Sequence, residues 1–179
     1  MKKQLDPIWR NAMNFGAIGG VVISLFWLVS FKGLISYMGM SYLRLPVLVA
    51  TLITGTKYLR DKFLNGYIKY SKALGSGTLI SIFFGIIYSF FVYIYLTYAN
   101  PKFMEELLKL QEELLMRVNF IEEDQLETMI TEMRNNTTSF TFAFSEFWST
   151  LVWGFVISVF TSIFQKKNEP FSDIQITED

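Results

Sequence analysis

The sequence predicts an all-α, polytopic membrane protein, a four-helix transmembrane bundle with an extramembrane helical hairpin between spans three and four. Three observations carry that prediction. Hydrophobic residues make up 51% of the 179, and they fall in long charge-free blocks rather than at the scattered spacings of a soluble core. The 16 basic and 16 acidic residues cancel in sum but segregate along the chain. Proline, asparagine and acidic residues collect at the block edges, where helices start.

The blocks set the spans. No charge interrupts the chain between Arg10 and Lys32, and about twenty apolar residues are what a hydrocarbon core roughly 30 Å thick demands of a helix. Asp6 and Pro7 supply an N-cap and a first-turn proline ahead of that span, and Trp9 suits its interface. The apolar run is too long for a cleaved leader, and no small-x-small site follows it. The expected spans are about 12–31, 41–60, 73–98 and 140–164, within one membrane domain covering 1–179. Span two has two readings, because the uncharged stretch from Leu45 to Thr56 is short. In the favoured one the helix runs from Ser41 to Arg60, Pro46 sits in its first turn, and Arg44 and Lys57 snorkel to the interfaces. In the other it starts near Leu34 and leaves Arg44 within the membrane, where an arginine needs a partner.

Charge then assigns the sides. Lys2, Lys3 and Arg10, then Lys57, Arg60, Lys62, Lys69 and Lys72, then Lys166 and Lys167 all fall on one side of this arrangement. The loop over 100–139 is acidic, with Glu105, Glu106, Glu112, Glu113, Glu122, Glu123, Asp124, Glu127 and Glu132. The positive-inside rule places both termini in the cytoplasm, the loop outside, and the tail 165–179 inside.

Within the loop, Asn100 and Pro101 with Glu105 and Glu106 read as a helix start, so span three must break or bend there. Phe103, Leu107, Leu110, Leu114 and Val118 form a narrow apolar stripe. A second short helix follows Asp124, whose spacing to Glu127 fits a capping box, with Leu126, Met129, Ile130 and Met133 on one face. The two stripes either close on each other as an antiparallel hairpin or form a docking face. Asn135 to Ser139 reads as a flexible polar connection to span four.

Inside the membrane the clearest pattern is a set of small residues at every fourth position. Span one carries Ala12, Gly16, Gly20 and Ser24; span three carries Ala73, Gly77, Ser81, Gly85 and Ser89; span four carries Thr150, Gly154, Ser158 and Ser162. Such stripes let helix backbones approach, and they predict close packing within the bundle or in a homo-oligomer. Asn14 reads as interhelical glue, and Trp27, Tyr42, Trp148 and Tyr98 as an outer aromatic belt facing an inner one of Trp9, Tyr58, Tyr67 and Tyr70. Arg44 and Glu146 are the candidates for an intramembrane ion pair; the alternative is that both reach headgroups or water.

Chemistry is nearly silent. Without Cys or His there is no thiol nucleophile, disulfide or imidazole base, and no phosphate loop, dinucleotide fingerprint or metal motif is present. No catalytic residue, cofactor, metal ligand or nucleic-acid partner is expected. The expected partners are the lipid bilayer and other membrane subunits or further copies of the chain. The expected role is a non-enzymatic accessory or assembly subunit of a larger membrane complex, with a small oligomeric transporter or channel as the alternative and a membrane enzyme last.

The segment Gly66-Tyr67-Ile68-Lys69-Tyr70-Ser71-Lys72-Ala73, continuing through Gly77, resembles the signature of a bacterial four-span membrane family of unknown function, domain number 4199. Tyr98 to Phe103, Glu122 to Met133, and Gly154 ahead of Lys166-Lys167 are similar to that family as well, although its proline near the start of span four is missing between Asn135 and Ser139. The resemblance implies the inner membrane of a Gram-negative bacterium and a periplasmic outer loop. It implies no activity and transfers no catalytic residue.

Overall fold

The computed structural model describes residues 6–30, 37–117 and 123–168, with side chains over 6–28, 42–117 and 125–168. Among these residues the secondary structure is helical apart from one isolated bridge: α1 (Pro7–Ser30), α2 (Tyr37–Phe63), α3 (Tyr70–Ile94), a π-helical turn (Tyr95–Ala99), α4 (Pro101–Met116), α5 (Glu123–Asn136) and α6 (Ser139–Gln165). Three stretches are long and apolar enough to cross a membrane, Pro7–Leu28, Tyr70–Ala99 and Ser139–Gln165. The 27-residue α2 has the length, but Arg44, Pro46, three threonines and Lys57 dilute its apolar content. The chain is therefore a helical protein of membrane-spanning character.

It divides into two compact units, Met1–Tyr88 with Trp148–Asp179, and Ser89–Phe147. In the first unit α1 and α2 run antiparallel. A β-carbon added to Gly19 would meet Thr51, and one added to Gly55 would meet Phe15, so the partner number falls as the α1 number rises. By the same test α1 runs parallel to α3, since Gly16 lies against Ile80 and Phe83, and Gly20 against Phe84 and Ile87. α3 and α6 are antiparallel, with Gly77 on Ser158 and Gly154 on Ser81. The buried core threads between them through Ile23, Leu48, Leu52, Ile80 and Phe84.

One end of this unit is tied by the backbone. Ile68 and Lys167 exchange two N–H···O bonds of 3.0 Å each, joining the segment between α2 and α3 to the end of α6. The turn after α2 places Asn65 (φ 51°) and Gly66 (φ 84°) in the left-handed region, which Gly enters freely and Asn more readily than most. Leu59, Ile68 and Ala73 pack beneath it with Ile8, Phe63 and Leu64.

In the second unit, the expected bend of span three takes the form of the π-helical turn. The Asn100 N–H reaches back to the Tyr95 carbonyl at 2.9 Å, and α4 restarts at Pro101, whose missing N–H costs nothing in a first turn. Tyr95 stacks on Phe91 and meets the edge of Phe103 from α4. α4 and α5 are joined by Glu112 and Arg134 in a bidentate ion pair, the Nη2 to Oε2 arm being 2.9 Å.

Several expectations need correction. Asn100 stands at the N-cap, but its side chain makes no capping bond, and the first turn of α4 holds no acid; Glu105 and Glu106 fall in the second turn. α5 begins at Glu123, one residue before Asp124, and the Asp124 side chain lies outside the described residues, as does Val118. The connection to span four is not the five residues Asn135 to Ser139 but Thr137 and Thr138 alone. Thr138 explains its brevity: its Oγ1 accepts from the Thr141 N–H at 3.2 Å while the Thr138 N–H donates to Thr141 Oγ1 at 2.7 Å. This is a capping box with threonine where glutamate is usual. In α2, Pro46 is inside the helix rather than in its first turn, because the helix starts before Ser41. Its ring nitrogen cannot donate to the carbonyl four residues back, a local weakness that packing against α1 must offset.

Candidate functional site

Arg44 of α2 belongs to a chain of contacts that links all four long helices within the first unit. Arg44 is only 8% exposed. Its guanidinium donates from Nη2 to the Ser149 hydroxyl of α6 at 3.1 Å and lies over the Tyr88 ring of α3, 5.8 Å from the centroid. The Tyr88 hydroxyl in turn accepts the Trp27 indole N–H of α1 at 3.3 Å, and Trp27 is 2% exposed. Arg44 is therefore buried in protein rather than snorkelling outward, and Trp27 leaves the aromatic belt. A cation taken from water is costly unless its donors are used and a polarisable face covers it. Hydroxyl and ring supply both here.

Of the other belt residues, Trp9, Tyr42, Tyr58, Tyr70, Tyr98 and Trp148 are exposed and Tyr67 is half-buried. Glu146 is half-buried on α6 and belongs to the second unit, Arg44 to the first.

The small-residue stripes line the interior. Ala12, Gly16, Gly20 and Ser24 of α1 are buried, as are Ala73, Gly77, Ser81 and Gly85 of α3 and Thr150, Gly154, Ser158 and Ser162 of α6; Ser89 is half-buried. α3 and α6 interlock through them. A β-carbon at Gly77 would come within 2.9 Å of the Ser158 Cβ, and one at Gly16 within 2.7 Å of the Ile80 carbonyl oxygen. Serine hydroxyls are turned back on their own helices, Ser81 to the Gly77 carbonyl at 3.0 Å and Ser158 to the Gly154 carbonyl at 2.7 Å. These two hydroxyls are thus spent on backbone acceptors, and the contact between the helices is left to shape.

Asn14 does not serve as glue, being exposed, whereas Asn11 is buried and donates to the Gly55 carbonyl of α2 at 3.0 Å. Gln165 makes a similar reach from α6 to the Ile53 carbonyl at 3.4 Å. Among the described residues of this unit, Asn11 Oδ1, Ser76 Oγ and Gln165 Oε1 are buried without a hydrogen-bond partner. Asn11 follows Arg10 directly and precedes the expected span at 12–31, a position where an amide ordinarily faces water. Arg44 to Ser149 and Trp27 to Tyr88 join residues 105 and 61 apart in sequence, which no local spacing encodes.

In the hairpin, Leu107 is buried, while Phe103, Leu110, Leu126, Ile130 and Met133 are half-buried and Leu114 and Met129 exposed. The hydrogen bonds from Arg134, and then its charge, hold the Glu112 carboxyl below the usual carboxylate range; the same pairing raises Arg134. No group of His, Cys, Asp and Glu that could hold a metal occurs among the described residues.

The fold and its buried polar node define a helical membrane protein with a packed interior. A family model matches residues 14–167, and the chain belongs to that family, described as Protein of unknown function (DUF4199). Nothing among curated proteins or solved structures matches it.

Proposed function

We propose that the protein is a non-enzymatic accessory or assembly subunit of a larger complex in a bacterial inner membrane, crossing it four times through α1, α2, α3 and α6. In this reading both ends are cytoplasmic and the α4–α5 hairpin is periplasmic. The observation that carries the role is the closed seam between α3 and α6. Gly77 against Ser158 and Gly154 against Ser81 bring the two backbones into close contact, which supports packing rather than passage between those helices. The hairpin is the part built to meet others, since Leu114 and Met129 stay exposed on its apolar stripe. α2 is the span that needs the bundle, because burial of Arg44 in protein shields from lipid the charge that would oppose its insertion.

Affinity purification of the tagged chain in mild detergent, with mass spectrometry of what accompanies it, tests the role. Recovery of a reproducible stoichiometric partner is expected. A lone monomer at native abundance would overturn it.

A small oligomeric transporter or channel is the second reading, favoured by the Arg44, Ser149, Tyr88 and Trp27 chain and by the unpartnered oxygens of Asn11, Ser76 and Gln165. It requires a continuous polar route. Ion flux through liposomes holding the purified protein, at rates no higher than in empty ones, would remove it.

A further inference from the structure

We infer that the end of the first unit where α2 and α6 finish binds the phosphate of an anionic phospholipid headgroup, held by Lys57, Arg60 and Lys167. The backbone brings these cations together. The paired bonds between Ile68 and Lys167 fix the start of the tail beside the α2–α3 connection, and the Lys167 ammonium sits 5.4 Å from the Tyr67 ring centroid. Arg60 reaches across to the Gln165 carbonyl at 3.4 Å from Nη1.

One carboxylate lies among them. Asp61 accepts from Arg60 Nε at 2.7 Å. That bond, and then the charges of Arg60, Lys57 and Lys167, hold its carboxyl below the ordinary value. Three positive charges around one negative leave a surplus of two. Among the described residues the unit has only one other acid, Asp6, whereas Arg10, Lys62, Lys69, Lys72 and Lys166 add exposed positive charge. Lys57 and Lys167 are themselves exposed, so their ammonium groups keep donors for an incoming oxygen.

Depth selects a lipid over a soluble anion. Tyr58 follows Lys57 directly, Tyr70 follows Lys69, and both rings are exposed. Exposed tyrosines beside an apolar span mark headgroup level. Cations adjacent to them stand where lipid phosphates lie, and polybasic segments at that depth attract anionic lipid.

The test uses the full chain in nonionic detergent, with native mass spectrometry reading retained lipid during titration with phosphatidylglycerol or with phosphatidylcholine of the same acyl chains. Phosphatidylglycerol should be retained selectively, and less so as salt rises. Lys57→Gln with Lys167→Gln should weaken retention by about fivefold for each cation removed. Asp61→Asn should strengthen it, and Lys102→Gln with Lys109→Gln on α4 should leave it unchanged. Equal retention of the two lipids would overturn the proposal, as would unaltered retention in the Lys57 and Lys167 variant or an equal loss in the α4 variant. Inorganic phosphate that displaces the lipid at equal concentration would overturn the assignment to a headgroup.

Discussion

Ser81 of α3 rests on Gly154 of α6, and the arrangement is reciprocal, because Ser158 of α6 rests on Gly77 of α3. Each serine also donates to the carbonyl of the glycine four residues before it on its own helix. One hydroxyl thus satisfies itself locally while its β-carbon fills the notch left by a glycine on the opposite helix. The pair of contacts fixes the antiparallel register, and a slide of either helix by one residue would bring a larger side chain onto a serine.

Gly154→Ala should therefore destabilise the protein, by about 1–3 kcal/mol for an overpacked core position. Ser81→Gly in the same chain should restore much of that loss, since it reopens the notch from the other side. Gly75→Ala is the control: it lies in α3 with nothing within 4 Å of a new β-carbon, and should be neutral or stabilising by up to about 1 kcal/mol. Thermal unfolding in detergent reads all three. A loss at Gly75 equal to that at Gly154 would remove the seam as the cause, because Ala in place of Gly within a helix otherwise gains stability.

The Trp27, Tyr88 and Arg44 chain should behave as a coupled set. Tyr88→Phe removes the acceptor of the Trp27 indole and should cost about 1–3 kcal/mol. Trp27→Phe in that background should then cost less than it does alone. Arg44→Lys is not conservative here, because an ammonium cannot both lie flat on Tyr88 and reach Ser149. A double-mutant cycle with coupling near zero would reduce the chain to adjacency.

The hairpin should respond to acid. Glu112 has its folded pKa lowered by Arg134, so its contribution is present above the carboxylate's unfolded value and is lost as pH falls through the lower folded one. Spin labels at Gln111→Cys and Asn135→Cys should report a closed hairpin at neutral pH and an opening one below about pH 4. Glu112→Gln should open it at neutral pH. A distance unchanged in both experiments would show that the apolar stripes alone hold α4 to α5.

The proposed four-span orientation is open to direct labelling, made clean by the absence of cysteine from the chain. Gln111→Cys should react with an impermeant maleimide added from outside, and Lys72→Cys only after the membrane is breached. The reverse pattern would invert the topology, and reaction of both from one side would remove a span.

By itself the sequence determined the helical membrane character, the bend at Asn100 and the small-residue faces. Each is a local or periodic property: a charge-free run as long as a bilayer is thick, a proline that cannot continue a hydrogen-bonded ladder, small residues at the spacing of a helical face. Tertiary structure decided what those faces meet. Gly77 could not announce Ser158 from 81 positions away, and the outcome depends on the register at which two backbones come closest. It also decided the fate of the polar residues. Arg44 and Trp27 each suit an interface by side-chain chemistry alone, and the folded chain buries both, because Tyr88 and Ser149 supply a ring face and hydroxyls that lipid lacks. Asn11 and Asn14 are the same residue type three positions apart, yet one is buried against a carbonyl of α2 and the other exposed. Three residues turn a helix by about 300°, and only the placement of a neighbouring helix decides which of the two directions is the inside.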